Sequence, residues 1–337
     1  MKISMGCNLQ TGPYGGGNQV AQAVANHLCA QGVEVTFDLK SKDLDLILLF
    51  DPRPNLRITA YTQRQIIPYL WFINSKAIVV HRINECDERK NSTGINRLLR
   101  RVNGCADHTI FISDFLRDLH LSNGLKTLDN TVIRIGVNRG TFHPNSYQRW
   151  DGMEKLKLIS HHWSGNWMKG FDIYQHLDDM LARPEWKDKL HFTYLGNLPS
   201  NFQFKNATYL TPVNQTETAA ILRQHHVYIT ASYFEPAGLH HAEGAMCGLP
   251  VLYRKSGALP EYNRSFGLGF TDETFEDTLC RMYTEYTRWA DAVQNYPADA
   301  EDRMCREYYN LFTNLVACAP ELRRHRSLRR QLRAFTV

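Results

Sequence analysis

Short apolar runs of strand length alternate with stretches of helical spacing through most of this chain, and that alternation limits its fold more than any other feature. In the first half the runs fall at residues 2–5, 33–37, 44–50, 77–83, 108–113 and 131–135. Between the first two, Val20, Val24 and Leu28 recur at helical spacing, with Ala21 and Ala25 beside them. A second series follows at 156–160, 190–195, 207–210, 227–231 and 251–253, and from about Asp272 the pattern is helical to the end. Strands separated by helices build βαβ units and a mostly parallel sheet. Two such series in 337 residues exceed one comfortable core. The stretch Arg139-Gly-Thr-Phe-His-Pro-Asn-Ser-Tyr is rich in turn formers and reads as the linker. The expected architecture is α/β: two Rossmann-like doubly wound domains facing across a cleft, over residues 1–145 and 150–300. Residues 301–337 supply C-terminal helices and a basic tail.

Composition removes several other classes. Hydrophobic content of 43% with 22% charged residues describes a globular chain. No apolar run is long enough to span a bilayer, and the N-terminus passes from Met1-Lys-Ile-Ser-Met into a polar glycine loop without the apolar stretch of a signal peptide. The eight cysteines contain no C-x-x-C pair, which argues against a zinc site or a disulfide framework and points to a cytoplasmic protein. The net charge of +5 lies in the tail, where Arg323, Arg324, Arg326, Arg329, Arg330 and Arg333 accompany one acid, Glu321. The rest of the chain is balanced, so no basic face for nucleic acid is indicated.

The chemistry gathers at four places. After the buried run 227–231 comes Ser232-Tyr-Phe-Glu235-Pro-Ala-Gly238-Leu-His-His-Ala-Glu243. This reads as strand, tight loop and helix, with Glu235 in the loop and Glu243 about one turn inside the helix. Carboxylates at the carboxyl edge of an open sheet suit donor-rich ligands such as sugar and ribose hydroxyls. Lys169-Gly170 opens a helix after the first strand of the second series, where a lysine and free helix amides can hold a diphosphate. Gly12-Pro-Tyr-Gly15-Gly16-Gly17-Asn18 separates the first strand from the first helix and lets backbone approach an anion. Its spacing is not the G-x-G-x-x-G of a dinucleotide site, which disfavours a nicotinamide-dependent dehydrogenase. His81 closes the apolar run 77–81, with Arg82, Asn84 and Glu85 following. Asp43-Leu-Asp45 leads into a strand, and the pairs His161-His162, His225-His226 and His240-His241 lack metal-ligand spacing, so no metal site is expected.

The segment Glu235, Pro236, Gly238, Leu239, Glu243, Gly248, Pro250 and Val251 resembles, without a gap, the Glu-x7-Glu segment of retaining GT-B glycosyltransferases of family four. The likeness extends to Gly16-Gly17 with Val20, Leu28, Gly32 and Val35, to Phe111-Ile-Ser113-Asp114, to Gly136-Val-Asn with Phe142-His-Pro, and to Gly257-Ala-Leu-Pro-Glu261. It therefore spans nearly the whole chain. The resemblance implies a metal-independent transferase of the hexosyltransferase type. Such an enzyme moves a sugar from a nucleotide-diphospho-sugar, a co-substrate rather than a cofactor, to a hydroxyl on a glycan, lipid or small molecule.

By the same resemblance His81, Lys169 and Glu235 are catalytic. Gly16 and Gly17 face the donor, Glu235 binds sugar hydroxyls and Glu243 the ribose. Ala237, Gly238 and Leu239 offer backbone amides, and Val213 lies near the base. One departure stands out. The family pairs its lysine with an arginine about five residues earlier, and this chain has Ser164 there. That gap supports a rival reading, a non-catalytic nucleotide-sugar sensor or scaffold on the same fold. In the tail, Leu328, Leu332 and Phe335 recur at helical spacing among arginines. They fit either a helix at a membrane surface or a solvated C-terminal helix packed across the two domains.

Overall fold

The structure, a computed structural model, describes residues 1–10, 16–297 and 300–337. Gly12 to Gly15 of the glycine loop lie outside them. The chain forms two compact units. Met1–Asp87, Ser92–Ile135 and Asp302–Val337 make the first; Glu88–Asn91 and Gly136–Glu301 make the second.

In the first unit six strands form one sheet: β1 (Lys2–Met5), β2 (Glu34–Thr36), β3 (Leu46–Leu49), β4 (Ile78–Ile83), β5 (His108–Phe111) and β6 (Asn130–Val132). They pair in parallel in the order β2-β1-β3-β4-β5-β6. β3 and β4 are buried at every position, which is why they read as continuous apolar runs and not as alternating ones. The helix Gly16–Ala30 turns Val20, Ala21, Val24, Ala25 and Leu28 onto this sheet. The last long helix, Ala300–Ala317, adds Met304, Tyr308 and Phe312 to the same core.

The second unit repeats the plan with β7 (Leu156–His162), β8 (Leu190–Gly196), β9 (Thr208–Leu210), β10 (Val227–Thr230), β11 (Val251–Arg254) and β12 (Gly267–Phe270). The order is β12-β11-β10-β7-β8-β9, again all parallel. Counted within the unit this is 3-2-1-4-5-6, the doubly wound order whose ligand crevice opens where the order reverses. β12 is absent from the sequence reading, because Gly267-Leu-Gly-Phe has two glycines in four residues. The structure supplies the reason. A Cβ on Gly267 would fall 1.8 Å from the Val251 carbonyl oxygen, so glycine is what lets the two strands approach.

The basic tail is folded onto the first unit. Arg326 donates from Nε and Nη2 to both oxygens of buried Asp107, at 2.8 and 2.6 Å, and from Nη1 to the Ser75 carbonyl at 2.6 Å. Trp71 Nε1 donates to Gln331 Oε1 at 2.8 Å. The helices Ala319–Arg324 and Leu328–Phe335 are thus held by specific bonds as well as by apolar burial.

Candidate active site

The order of the second sheet reverses between β7 and β10, and the segments that carry Lys169, Glu235 and Glu243 follow those two strands. β7 ends in His161 and His162 and leads to the turn Trp167–Lys169. β10 ends at Thr230, and the loop 231–238 carries Glu235 to the helix Leu239–Met246, which bears Glu243. Both glutamates are buried.

Three backbone bonds fix the Glu235 loop between its neighbours. Tyr233 N donates to the Met168 carbonyl at 2.9 Å, tying the loop to the lysine turn. Phe234 N donates to Ser256 Oγ at 2.9 Å, and Ala258 N to the Glu235 carbonyl at 2.8 Å, tying it to the segment after β11. The Arg254 guanidinium stacks 3.7 Å from the Tyr233 ring centroid and pairs with Asp172 and Asp272. Phe234 sits at φ +46°, a left-handed conformation that a bulky residue adopts at a cost of about 1–3 kcal/mol. Strain of this kind persists only where surrounding bonds over-determine the loop, as they do here. Gly238 follows at φ +76°; a Cβ there would lie 2.7 Å from His240 Cε1 and 3.0 Å from Glu235 Cγ. Only glycine brings the backbone this close to the carboxylate.

Two cations face Glu235. Lys169 Nζ is 2.5 Å from Oε2, and Arg89 Nε is 3.8 Å from Oε1. Arg89 belongs to the short helical turn Glu88–Lys90, which packs with the second unit although its sequence lies within the first half. Burial pushes the Glu235 carboxyl upward, but Lys169 and Arg89 outweigh it and hold the group below the usual carboxylate range. His161 Nε2 lies 2.7 Å from Glu243 Oε2. A carboxylate only accepts, so Nε2 donates, and Nδ1 is buried without a partner among the described residues. Ser232 Oγ is likewise buried and unpartnered. His162 and His240, their rings 4.5 Å apart, are held well below the ordinary histidine value, first by burial and then by neighbouring positive charge.

The remaining predicted residues fall as follows. Ala237, Gly238 and Leu239 form the start of the Glu243 helix. Val213 is half-buried in the loop after the edge strand β9, one position before the Asn214 cap. In the first unit Gly16 and Gly17 open the first helix. A Cβ at Gly17 would meet Phe50 Cε1 at an ordinary 3.9 Å, so packing alone does not demand glycine there. His81 lies two positions inside β4, not at its end as the sequence suggested, because the strand continues to Ile83. It is fully buried, with Nδ1 2.9 Å from Asn103 Oδ1 and Nε2 without a partner among the described residues, and burial pushes its pKa down to about 4.

Sequence reasoning missed three features. Arg89 gave no local signal, since its approach to Glu235 joins residues far apart in the chain. The His161–Glu243 bond was hidden in a histidine pair set aside for lacking metal spacing. In the first unit Arg53 grips Asp51 through Nε and Nη2, at 2.9 and 2.6 Å, and reaches Glu85 Oε2 at 3.4 Å. Among the described residues no group of three or more His, Cys, Asp or Glu could hold a metal ion.

No protein family and no curated protein sequence matches this chain. Solved structures do. The chain is similar to Anabaena HepE in complex with UDP-glucose, at 14% identity and TM-score 0.67 over 94% of this chain and 99% of that one. It is similar to sucrose-phosphate synthase from Thermosynechococcus elongatus, at 14% identity and TM-score 0.65 over 94% and 98%. A glycosyltransferase from Rickettsia africae gives 12% identity and TM-score 0.62 over 94% and 97%. The chain has the GT-B fold of these proteins.

Proposed function

We propose that this chain is a retaining glycosyltransferase of the family-four type. It would move a hexosyl group from a uridine-diphospho-sugar to a hydroxyl acceptor without a metal ion. The observation that carries the reading is the meeting of Glu235, Lys169, Arg89 and Glu243 at the switch point of a 3-2-1-4-5-6 sheet. The choice of uridine diphosphate follows HepE, which was solved with UDP and with UDP-glucose.

In this reading Glu243 accepts from the ribose hydroxyls and Glu235 from hydroxyls of the donor sugar. Cleavage of the anomeric C–O bond sends its electron pair to the diphosphate, and preorganised donors there lower the barrier. Lys169 supplies one cation. Arg89 supplies the second, in place of the arginine that Ser164 replaces in the sequence. The amides at Ala237, Gly238 and Leu239 add the positive end of a helix. As the acceptor oxygen bonds to the anomeric carbon on the face the diphosphate leaves, its proton passes to the departing phosphate oxygen. No side chain need act as a nucleophile. His81, Gly16 and Gly17 belong to the acceptor-side unit.

A thermal-shift screen of nucleotide-sugars identifies the donor, because a ligand that binds only the native state raises the midpoint. With that donor, Lys169→Ala and Glu235→Ala are each expected to lower kcat by about 10²–10³-fold, the scale of losing one transition-state donor. Each leaves the other member of a buried ion pair alone, so both variants should stay folded with a lower unfolding midpoint. Full activity in both overturns the assignment. Donor binding by the native chain with neither transfer nor release of free nucleotide would favour the sensor reading.

A further inference from the structure

The C-terminal helix is amphipathic the wrong way round. Leu328–Phe335 buries Gln331 and Ala334 against the first unit. It leaves Leu328, Leu332 and Phe335 in solvent, with Leu328 64% exposed. At 100° per residue these three occupy one narrow stripe, and Arg329 and Arg333 lie along one side of it, both exposed. A packed terminal helix would present the opposite faces.

The stripe continues onto a second element. The last turn of the helix Gln63–Phe72 carries Trp71, whose ring lies 5.9 Å from that of Phe335 and 6.2 Å from that of Phe72. Phe72 is 81% exposed and Ile73 beside it is exposed too. Five large apolar side chains on these two helices and at the end of the first thus stand in water, and two of them, Phe72 and Phe335, meet the same indole; such a surface is unusual for a folded protein. Next to them a recess of about 340 Å³ is lined by Trp71, Arg323 and Arg326, among others. The rim is basic. Arg324, Arg329 and Arg333 have no carboxylate partner among the described residues, and Lys76 follows the loop from Ile73. The whole chain's positive excess resides in this tail.

We propose that the end of Gln63–Phe72 and the helix Leu328–Phe335 form one docking surface for an anionic lipid bilayer. Phe72, Ile73, Leu328 and Leu332 would enter the headgroup–acyl boundary while the arginines meet lipid phosphates. The charge pattern selects this occupant over a second copy of the chain. Two copies would bring the same arginines together, and the patch has no acidic side to receive them. Among the described residues no helix is long and apolar enough to cross a membrane, so attachment here is peripheral. The proposal stands apart from the donor site, and its failure would leave that reading untouched.

The test is co-sedimentation of the full chain with phosphatidylcholine vesicles, with and without phosphatidylglycerol. Binding is expected to the phosphatidylglycerol vesicles and to weaken as salt rises. Arg329→Glu with Arg333→Glu should lower partitioning at least about tenfold, and Phe72→Ser with Leu328→Ser should lower it independently. All four positions are exposed, so circular dichroism and the thermal midpoint should match the native chain. No binding at low salt overturns the proposal, as does binding that neither pair of substitutions weakens. Self-association in light scattering that both pairs abolish, without vesicle binding, would assign the patch to a second copy instead.

Discussion

His161 is the clearest case of one side chain working through another. Its Nε2–H points at Glu243 with 2.7 Å separation, so it fixes the orientation of the carboxylate proposed to hold ribose. A hydrogen bond to a charged acceptor contributes about 1.5–3 kcal/mol, and its loss would let the carboxylate rotate. Since ribose binding is used equally in ground and transition states, His161→Ala should raise the donor KM about tenfold or more while kcat changes little. His161→Gln, whose amide can donate, should recover much of that loss. An equal fall in kcat would place His161 at the reacting atoms instead. Arg89 predicts the opposite split. Facing the charge that develops on the leaving group, Arg89→Ala should act mainly on kcat, and Arg89→Lys should restore part of it. Unchanged turnover in Arg89→Ala would leave the second cation unassigned.

Among the elements, the terminal helices show how a sequence reading can find a feature without finding what holds it in place. The arginine run and its apolar spacing were plain, but three of the six arginines are structural. Arg326 grips Asp107, Arg323 donates to the Lys76 carbonyl at 3.0 Å, and Arg330 to the Lys126 carbonyl at 3.3 Å. None of these partners is near in sequence, so no local pattern reveals them. Removing one member of a buried ion pair costs about 3–5 kcal/mol, because the other is left charged in a dry site. Arg326→Ala should therefore loosen both terminal helices, seen as protease cleavage between residues 317 and 328 and a lower unfolding midpoint. Arg324→Ala, exposed and unpaired, should change neither. Equal protease resistance in both variants would mean that Gln331 and the apolar face alone hold the tail. β12 teaches the complementary lesson. Its glycines lower strand propensity, and only the close approach of Val251 explains why they are there.

At the scale of the whole molecule the two sheets were legible and the electrostatics were not. Parallel strands announce themselves as apolar runs, and eleven of the twelve among the described residues were visible as such. Which charges meet depends on long-range placement, as Arg89 with Glu235 and His161 with Glu243 demonstrate. The same holds for the histidines, whose burial only the fold decides. His81 in the first unit and His225 and His226 in the second are each pushed down to about 4, chiefly by burial. His226 must also stay unprotonated at Nδ1, which accepts from Lys157 N at 3.0 Å. An unfolded histidine takes a proton near pH 6.5. Between about pH 6.5 and 4 the unfolded chain therefore binds more protons than the native one, and stability rises with pH across that window. It should be nearly flat above pH 7 and fall steeply on acidification through 6 and 5. The slope should correspond to uptake of several protons, drawn from both units. Replacing His81 with Gln should remove about one proton from the slope, measured as thermal midpoint against pH. A midpoint that stays level from pH 7 to pH 5 would mean that these rings are protonated within the fold, and the burial argument would fail.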